Sequence, residues 1–523
     1  MRKNYRPVVL IILDGLGISP DKAVSTWEMA EHPNFSWLEK NFPFTTLQAS
    51  GLAVGLPWGE AGNSEVGHLT MGAGRIIYNY LPKISKSIKD GSFFTNETLL
   101  RAVSHAKNNN SSLHLVGLFS TGTVHAYFEH LYALLDLAKK NDAQRVYLHL
   151  FTDGKDAYKK EAAEFYAQLE DYLKTNHPNA KIASVVGRNF AMDRNENWEK
   201  TEKAYDLFVG GAGEEFEAAA DHIKNNYQRE ISDESVEPGF IKGKEGRIKD
   251  NDAVIFFNFR EDSVRQLTRA FVEDGFAGFK RIKLNNLFFA TMTEYDKNLP
   301  INPAFKSAEV KNSLAKIISN SKLKQLHIAE SEKYAHITYF FNGGTEDPVE
   351  GESRILVPSL ESGDYGQAPE MSADKISAEI IKNIGQYDFI AANFANADLI
   401  GHTGNLEATA KAIEALDRLV GEIAKKILDS GGVALITADH GNAEEKFYLF
   451  SGNKKTKHSV NPVPFIVAGK DFQKERPLSD KELEEKQKTT LGTLADIAPT
   501  ILALLGLEKS PEMTGENLLG KMG

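Results

Sequence analysis

The chain has no cysteine in 523 residues. Disulfides and thiolate metal sites are therefore excluded, and any metal must be held by histidine, carboxylate or hydroxyl. A surplus of positive charge is also missing, since 61 Lys and Arg stand against 72 Asp and Glu, a formal net charge of -11. Nucleic acid as main partner needs a basic face and is excluded on that ground. A small anionic substrate needs only a few local cations and stays open. Long hydrophobic runs are absent as well. The opening MRKNYRPVVLIILDG is basic and then apolar, in the manner of a signal peptide, yet its apolar part is only Val8 to Leu13. That is too short for a secretory core or a membrane span, and no small-residue cleavage site follows. A buried strand is the better reading. The chain is expected to be soluble and cytoplasmic, with no membrane partner.

What is present fits a globular protein with well-filled interiors: 41% hydrophobic and 10% aromatic residues. The length exceeds what one core supports, so two or more domains are expected. There is no internal repeat, low-complexity tract or heptad array.

Three apolar strand candidates end in acidic residues: VVLIIL (8–13) before Asp14, DFIAANF (388–394) before Asp398, and VALIT (433–437) before Asp439. Continuous runs of this kind suit a parallel sheet covered on both faces. Ligands bind beyond the carboxyl ends of such strands, so the three acids are expected on one edge. Between the second and third strands, residues 405–429 place Leu406, Ala410, Ile413, Leu416, Val420, Ile423 and Ile427 at steps of three or four. That predicts a long amphipathic helix closed by Gly431-Gly432, and a right-handed crossover from one strand to the other. The middle of the chain alternates again, with strands expected at 113–119, 145–151, 181–186 and 253–259 and helices at 130–140 and 163–173. The polar run 228–251 reads as an exposed excursion.

Ser64 lies in GNSEVGH (62–68). A serine hydroxyl is a weak nucleophile at neutral pH, and divalent cations on its oxygen would lower its pKa. Asp14, Asp398, His402, Asp439, His440 and His458 supply three carboxylates and three imidazoles. Asp398 and His402 are four apart and share a face on a helical turn. Each of these alone reads as a solvated, capping or surface residue. With Ser64 they suffice for two adjacent divalent ions, and oxygen and nitrogen ligands favour Mn2+, with Mg2+, Co2+ or Zn2+ as alternatives. These motifs come from both ends of the chain. The expected architecture is therefore one domain of residues 1–80 and 307–523, with an inserted domain of 81–306 and two linkers that could act as a hinge.

GNSEVGH (62–68), NFANADLIGHTG (393–404), LITADHGNAE (435–444) and HSVNPVPF (458–465) resemble the signatures of the cofactor-independent (2,3-bisphosphoglycerate-independent) phosphoglycerate mutases of the alkaline phosphatase superfamily. The resemblance runs from VVLIILDG to PTILALLG (499–506). It implies an α/β fold of two α/β domains, an alkaline-phosphatase-like parallel-sheet domain split in sequence and a second, substrate-binding domain inserted. It also implies interconversion of 3-phosphoglycerate and 2-phosphoglycerate by a monomer, without added bisphosphoglycerate. Asp398, His402 and His458 would hold one manganese; Asp14, Ser64, Asp439 and His440 would hold the other. Ser64 would carry the phosphoryl group.

The substrate, a small phosphorylated carboxylate, needs cations, and arginine suits oxyanions because its planar fork donates two hydrogen bonds. GRNFAMDR (187–194), NFRED (258–262) and AESEKYAH (329–336) are similar to family strings. The resemblance implies that His125, Asp156, Arg188 and Arg194 grip the glycerate, with Asp156 exchanging protons with its hydroxyls. Arg260 and Lys333 would attend the phosphoryl group. Three positions depart from the family pattern: Lys155 stands where an arginine is expected, Ser263 where another is expected, and Ala126-Tyr127 where Ser-His is common. A lost charged hydrogen bond is worth about 1.5–3 kcal/mol, on the order of tenfold to a hundredfold in affinity. Arg265 or Lys159 are candidates to compensate. A metal-dependent phosphomonoesterase, a mutase for another small phosphate, and a metal-binding protein without catalysis are the alternatives.

Overall fold

The computed structural model describes residues 4–360, 365–448 and 451–522; residues 1–3 of the basic N-terminal stretch lie outside them. The chain divides into two compact units, Met1–Asn79 with Ala308–Gly523, and Tyr80–Ser307. Each is an α/β unit built on an eight-stranded, mostly parallel sheet.

In the first unit the strands lie in the order Glu352–Val357, Gln325–Glu330, Phe389–Phe394, Val8–Leu13, Val433–Thr437, Val463–Gly469, Phe44–Gln48 and Thr490–Thr493. The first five run parallel, and Val463–Gly469 is antiparallel to both neighbours. Val8–Leu13 is central and every residue in it is buried, which is why it carries no polar residue on either face. It pairs in register with Val8 opposite both Phe389 and Val433. The three strands read from the sequence as ending in acids are thus neighbours, and their ends share one edge.

The helix between two of them is Leu406–Ser430. The Asn405 side chain caps its start by accepting from Ala408 N, and Gly431, at φ 76°, ends it in the left-handed region that glycine adopts without strain. Ile413, Leu416, Val420, Ile423 and Ile427 are buried in the core, each such burial contributing roughly 1.5–3 kcal/mol before entropy. The crossover joins two parallel strands that do not pair with each other. Val8–Leu13 lies between them, inserted from a distant part of the chain.

The helix Pro33–Asn41 packs against the same core and buries an acid, Glu39, at 5% exposure. Burial pushes the Glu39 carboxyl up to about 8, against a hydrogen bond with Gln487 and the charge of Lys40. Native protein therefore keeps this proton over a window, from the ordinary glutamate value to about 8, in which the unfolded chain has lost it. Stability falls as pH rises through that window, by on the order of 3 kcal/mol at neutral pH. Glu39→Gln should accordingly raise the thermal midpoint at pH 7.5 and change it little at pH 4. Calorimetry at the two pH values checks this, and an equal shift at both would contradict it.

The second unit orders its strands Asn302–Phe305, Phe288–Thr293, Ala253–Phe256, Leu113–Leu118, Val146–Thr152, Ala180–Gly187, Gly239–Ile241 and Glu214–Phe216. Helices Phe128–Lys140 and Ala162–Asn176 are among those that cover it. The polar run 228–251 is not simply an exposed excursion. Gly239–Ile241 pairs antiparallel with Ala180–Gly187, Val236, Phe240 and Ile248 are buried, and Asp233 is buried with its carboxylate accepting from Glu161 N and Ala162 N. A short strand needs few apolar residues, so a mostly polar composition concealed it.

Candidate active site

Asp14 follows the strand Val8–Leu13, Asp439 lies two residues beyond Val433–Thr437, and Asp398 lies in the helix Asn396–His402 that follows Phe389–Phe394. Strand adjacency alone brings the three carboxylates together. Ser64 opens the helix Ser64–Ala73, whose N-cap Asn63 accepts from Val66 N. Its hydroxyl lies 3.1 Å from Asp14 Oδ1, 3.1 Å from His440 Nε2 and 2.8 Å from Lys333 Nζ. The glycines of GNSEVGH have a steric reason here: a Cβ on Gly67 would meet Asp439 O at 2.6 Å.

The Lys333 ammonium donates to Asp14 Oδ1 at 2.6 Å, to Asp398 Oδ2 at 2.7 Å and to Ser64. Burial lowers its pKa, but Asp14 and Asp398 outweigh that and hold it raised and charged. Three buried carboxylates around one ammonium leave negative charge over. Burial and then Asp439 push the Asp14 carboxyl up, a conflict that further cationic charge would relieve.

Three groups have metal-binding donor sets among the described residues: Asp398 with His402 and His458, Asp14 with Asp398 and His440, and Asp14 with His68 and Asp439. The first has a telling hydrogen-bond pattern. His402 Nδ1 donates to Thr456 O at 2.8 Å and His458 Nδ1 donates to Gly62 O at 2.7 Å. In the neutral tautomers this leaves both Nε2 atoms as bare lone pairs. Those two atoms are 3.0 Å apart, and each lies within 3.3 Å of Asp398 Oδ1. With both imidazoles neutral, three acceptors converge with no hydrogen between them, the arrangement a cation satisfies. Asp439 Oδ2 is buried without a hydrogen bond and lies 3.6 Å from His440 Nε2. The residues fit divalent ions. Asp14, Ser64, Asp398, His402, Asp439, His440 and His458 lie in one neighbourhood.

His68 was not singled out from the sequence. It is fully buried, its Nδ1 donates to Ser64 O at 2.8 Å, and its Nε2 accepts from Asn393 Nδ2 at 3.0 Å. The same amide donates to Asp14 Oδ2 at 2.7 Å. This relay fixes the first turn of the serine helix against Asp14. Its signal was His68 standing four residues after Ser64, on the same helix face.

The second unit has its own charged cluster. Arg188 Nη1 donates to Asp153 Oδ1 at 2.5 Å and Asp156 Oδ2 at 2.6 Å. Asp262 Oδ2 pairs with Arg194 at 2.7 Å and Arg260 at 3.0 Å. His125 Nε2 lies 3.8 Å from Asp156 and its Nδ1 3.8 Å from Asp262, with Nδ1 buried and making no hydrogen bond. Burial and then the Arg188 guanidinium pull His125 down to about 4, so its imidazole is neutral near pH 7. Of these, His125, Asp156, Arg188, Arg194 and Arg260, with Lys155, line a cavity of about 430 Å3. Lys155 Nζ is hydrogen-bonded to Asn189 Oδ1 at 2.8 Å.

Of the three departures, Lys155 and Ser263 line this cavity. Ala126 is buried in the core and Tyr127 packs on Phe128 and His130, so that pair is structural. Arg265 is tied to Tyr295 O and Glu261, and neither it nor Lys159 lines the cavity. Lys200, which the sequence did not mark, does line it, and its side chain makes no hydrogen bond or ion pair among the described residues.

Fold and site together define a two-unit α/β protein with a serine hydroxyl set among buried carboxylates, imidazoles and a lysine. Residues 84–297 match the model of the BPG-independent PGAM N-terminus. The 2,3-bisphosphoglycerate-independent phosphoglycerate mutase of Clostridium perfringens (strain SM101) is 47% identical over 99% of this chain and 100% of its own. That of Chloroflexus aurantiacus is 46% identical over 98% of each. A crystal structure of Leishmania mexicana phosphoglycerate mutase at low cobalt concentration superposes with a TM-score of 0.54 at 29% identity, covering 98% of this chain and 97% of that one. The chain belongs to the 2,3-bisphosphoglycerate-independent phosphoglycerate mutase family. Among the described residues no helix is long and apolar enough to cross a membrane.

Proposed function

We propose that the protein interconverts 3-phosphoglycerate and 2-phosphoglycerate in glycolysis and gluconeogenesis through a phosphoserine at Ser64, without bisphosphoglycerate. The observation that carries this reading is the Ser64 hydroxyl within 3.1 Å of Asp14, His440 and Lys333 at a shared strand edge. Asp398, His402 and His458 would hold one divalent ion, and Asp14, Ser64, Asp439 and His440 a second, with Mn2+ favoured by the donor set. Bound there, the ions would lower the pKa of the serine hydroxyl and offset phosphate charge.

The chain's own residues would do the rest. The Ser64 hydroxyl releases its proton to solvent, its oxygen attacks phosphorus, and the bond from phosphorus to the substrate oxygen breaks. The freed oxygen takes a proton, with Asp156 as the group that exchanges protons with the glycerate hydroxyls. Return of the phosphoryl group to the other hydroxyl reverses these events. The phosphoryl group would sit at a helix N-terminus, where the backbone N–H groups of Ser64 and Glu65 have no partner within the helix. Lys333 would balance charge as the bond to Ser64 forms and breaks, and Arg260 would attend the phosphoryl group. His125, Lys155, Arg188 and Arg194 would hold the carboxylate and hydroxyls. The first unit is then the metal-bearing phosphoryl-transfer domain and the second the substrate-binding domain, in a monomer acting in the cytoplasm.

Phosphorus NMR starting from pure 3-phosphoglycerate tests the reading: the 2-phosphate resonance should grow to a constant ratio. Release of inorganic phosphate with no isomer would replace it with a phosphomonoesterase, the second reading that Ser263 in place of an arginine motivates. Lys200 would supply cationic charge that Ser263 cannot. Lys200→Ala is expected to raise KM by about tenfold or more with kcat nearly unchanged, the mark of lost ground-state binding. Steady-state kinetics read this directly, and an unchanged KM would remove Lys200 from the substrate contacts.

A further inference from the structure

The loops that present the candidate metal ligands make a few direct hydrogen bonds to one another, Ala443 N to Gly15 O and Ser459 N to Gly441 O at 2.9 Å each among them. Three of them meet at one buried carboxylate, Glu444, which is 0% exposed. Its Oε2 accepts from Gly17 N at 3.1 Å and Asn442 N at 2.8 Å. Its Oε1 accepts from Asn461 Nδ2 at 2.9 Å and from the Ser459 hydroxyl. Gly17 belongs to the turn after Asp14, Asn442 to the turn after Asp439-His440, and Ser459 directly follows His458. The fit leaves no spare room: a Cβ on Gly17 would lie 2.6 Å from the Glu444 carboxyl carbon, and one on Gly441 would lie 2.6 Å from its Oε1.

A fourth ligand-bearing segment is tied in through Asn442. Its amide nitrogen donates to Asp398 Oδ1 at 2.9 Å and to Asp398 O at 3.2 Å. Its amide oxygen accepts from the buried Lys446 ammonium, which also donates to Gly401 O at 3.0 Å. An ammonium only donates, so the oxygen of Asn442 must face Lys446 and the nitrogen must face Asp398. Glu444 holds the backbone of this same asparagine. One buried acid therefore connects the segments carrying Asp14, Asp398, Asp439, His440 and His458, and touches none of those side chains itself.

We propose that Glu444 is a positioning residue that sets the affinity and geometry of the metal centre by locking these loops at one distance from each other. The inference rests on the metal-binding reading above. Four donors point at Glu444, two on each oxygen. Glu444→Gln replaces one of those oxygens with an NH2 group: turned one way it leaves the N–H groups of Gly17 and Asn442 without their acceptor, and turned the other it opposes the Asn461 NH2 while the Ser459 hydroxyl must reverse to accept. Groups that support metal ligands from behind change metal affinity by roughly tenfold to a hundredfold when removed.

The test is titration of the full-length, metal-stripped protein with Co2+, reading the visible absorption bands and the Kd together. Glu444→Gln should weaken Co2+ binding by about tenfold or more and shift the bands, because the ligand angles change. Asp417→Asn is the control. Asp417 is a buried acid in the same unit that accepts from Asn34 N and Phe35 N, neither of them on a ligand-bearing loop. It should lower the thermal midpoint and leave Kd and spectrum as in the unaltered protein. If Glu444→Gln does not fold, Ser459→Ala carries the test, with a shift of about threefold in the same direction. Unaltered Kd and bands in whichever of the two folds overturn the proposal, even if the midpoint falls. Absence of Co2+ binding by the unaltered protein sinks the metal-binding reading itself, and this inference with it.

Discussion

Ser64→Ala should leave a folded, metal-binding protein whose mutase turnover has dropped by at least about 10,000-fold, with no phosphoprotein formed. The fold survives because Ser64 is the first residue of its helix and Asn63 provides the cap. Alanine at that position adds no volume and favours the helix. The hydroxyl contributes contacts to Asp14, His440 and Lys333, but Lys333 keeps both of its carboxylate partners without it. The Asp398, His402 and His458 donor set is untouched. What disappears is the hydroxyl proposed to take the phosphoryl group covalently. Intact-mass spectrometry after mixing with substrate should show phosphate on the unaltered protein and none on the variant. Turnover within about a hundredfold of the unaltered enzyme would mean direct transfer or another acceptor, and the phosphoserine would be abandoned.

The three acid-terminated strands were legible because a parallel strand buried on both faces must be mostly apolar; VVLIIL is so throughout, and VALIT up to its last residue, Thr437. The helix after Asn405 was legible from its period and its closing glycines. Their order was not. Nothing in the local composition says that Val8–Leu13 slots between Phe389–Phe394 and Val433–Thr437, because pairing partners are chosen by the whole sheet. The run 228–251 misled for a related reason: Val236, Phe240 and Ile248 are its few buried apolar residues, and polar neighbours hid them. In the site, residues with ligand chemistry stand out by type and motif. His68, Asn393 and Glu444 act through hydrogen bonds to atoms far away in sequence, and polar residues of that kind look alike until the chain is folded. Lys200 is marked only by what lies around it in the cavity.

Stripping divalent ions from the protein should abolish turnover by at least about a thousandfold and lower the thermal midpoint, and Mn2+ should restore both. The stability part follows from the charges. Asp14, Asp398 and Asp439 are buried together, and Lys333 is the ammonium that pairs with the first two. Without metal, that ammonium is the main counter-charge to the carboxylates. Removing one partner of such a buried set costs about 3–5 kcal/mol. Metal-free Lys333→Met should therefore melt well below the metal-free parent. Added Mn2+ should recover more of its midpoint than of the parent's, because the ion then supplies charge the lysine no longer does. A ligand at a thousand times its Kd stabilises by about 4 kcal/mol, enough to see in a thermal scan. The decisive comparison is the pair of midpoints with and without Mn2+ for parent and variant. Equal midpoints in all four samples would mean that these carboxylates hold no ion, and retained turnover after exhaustive chelation would remove metal from the reaction altogether.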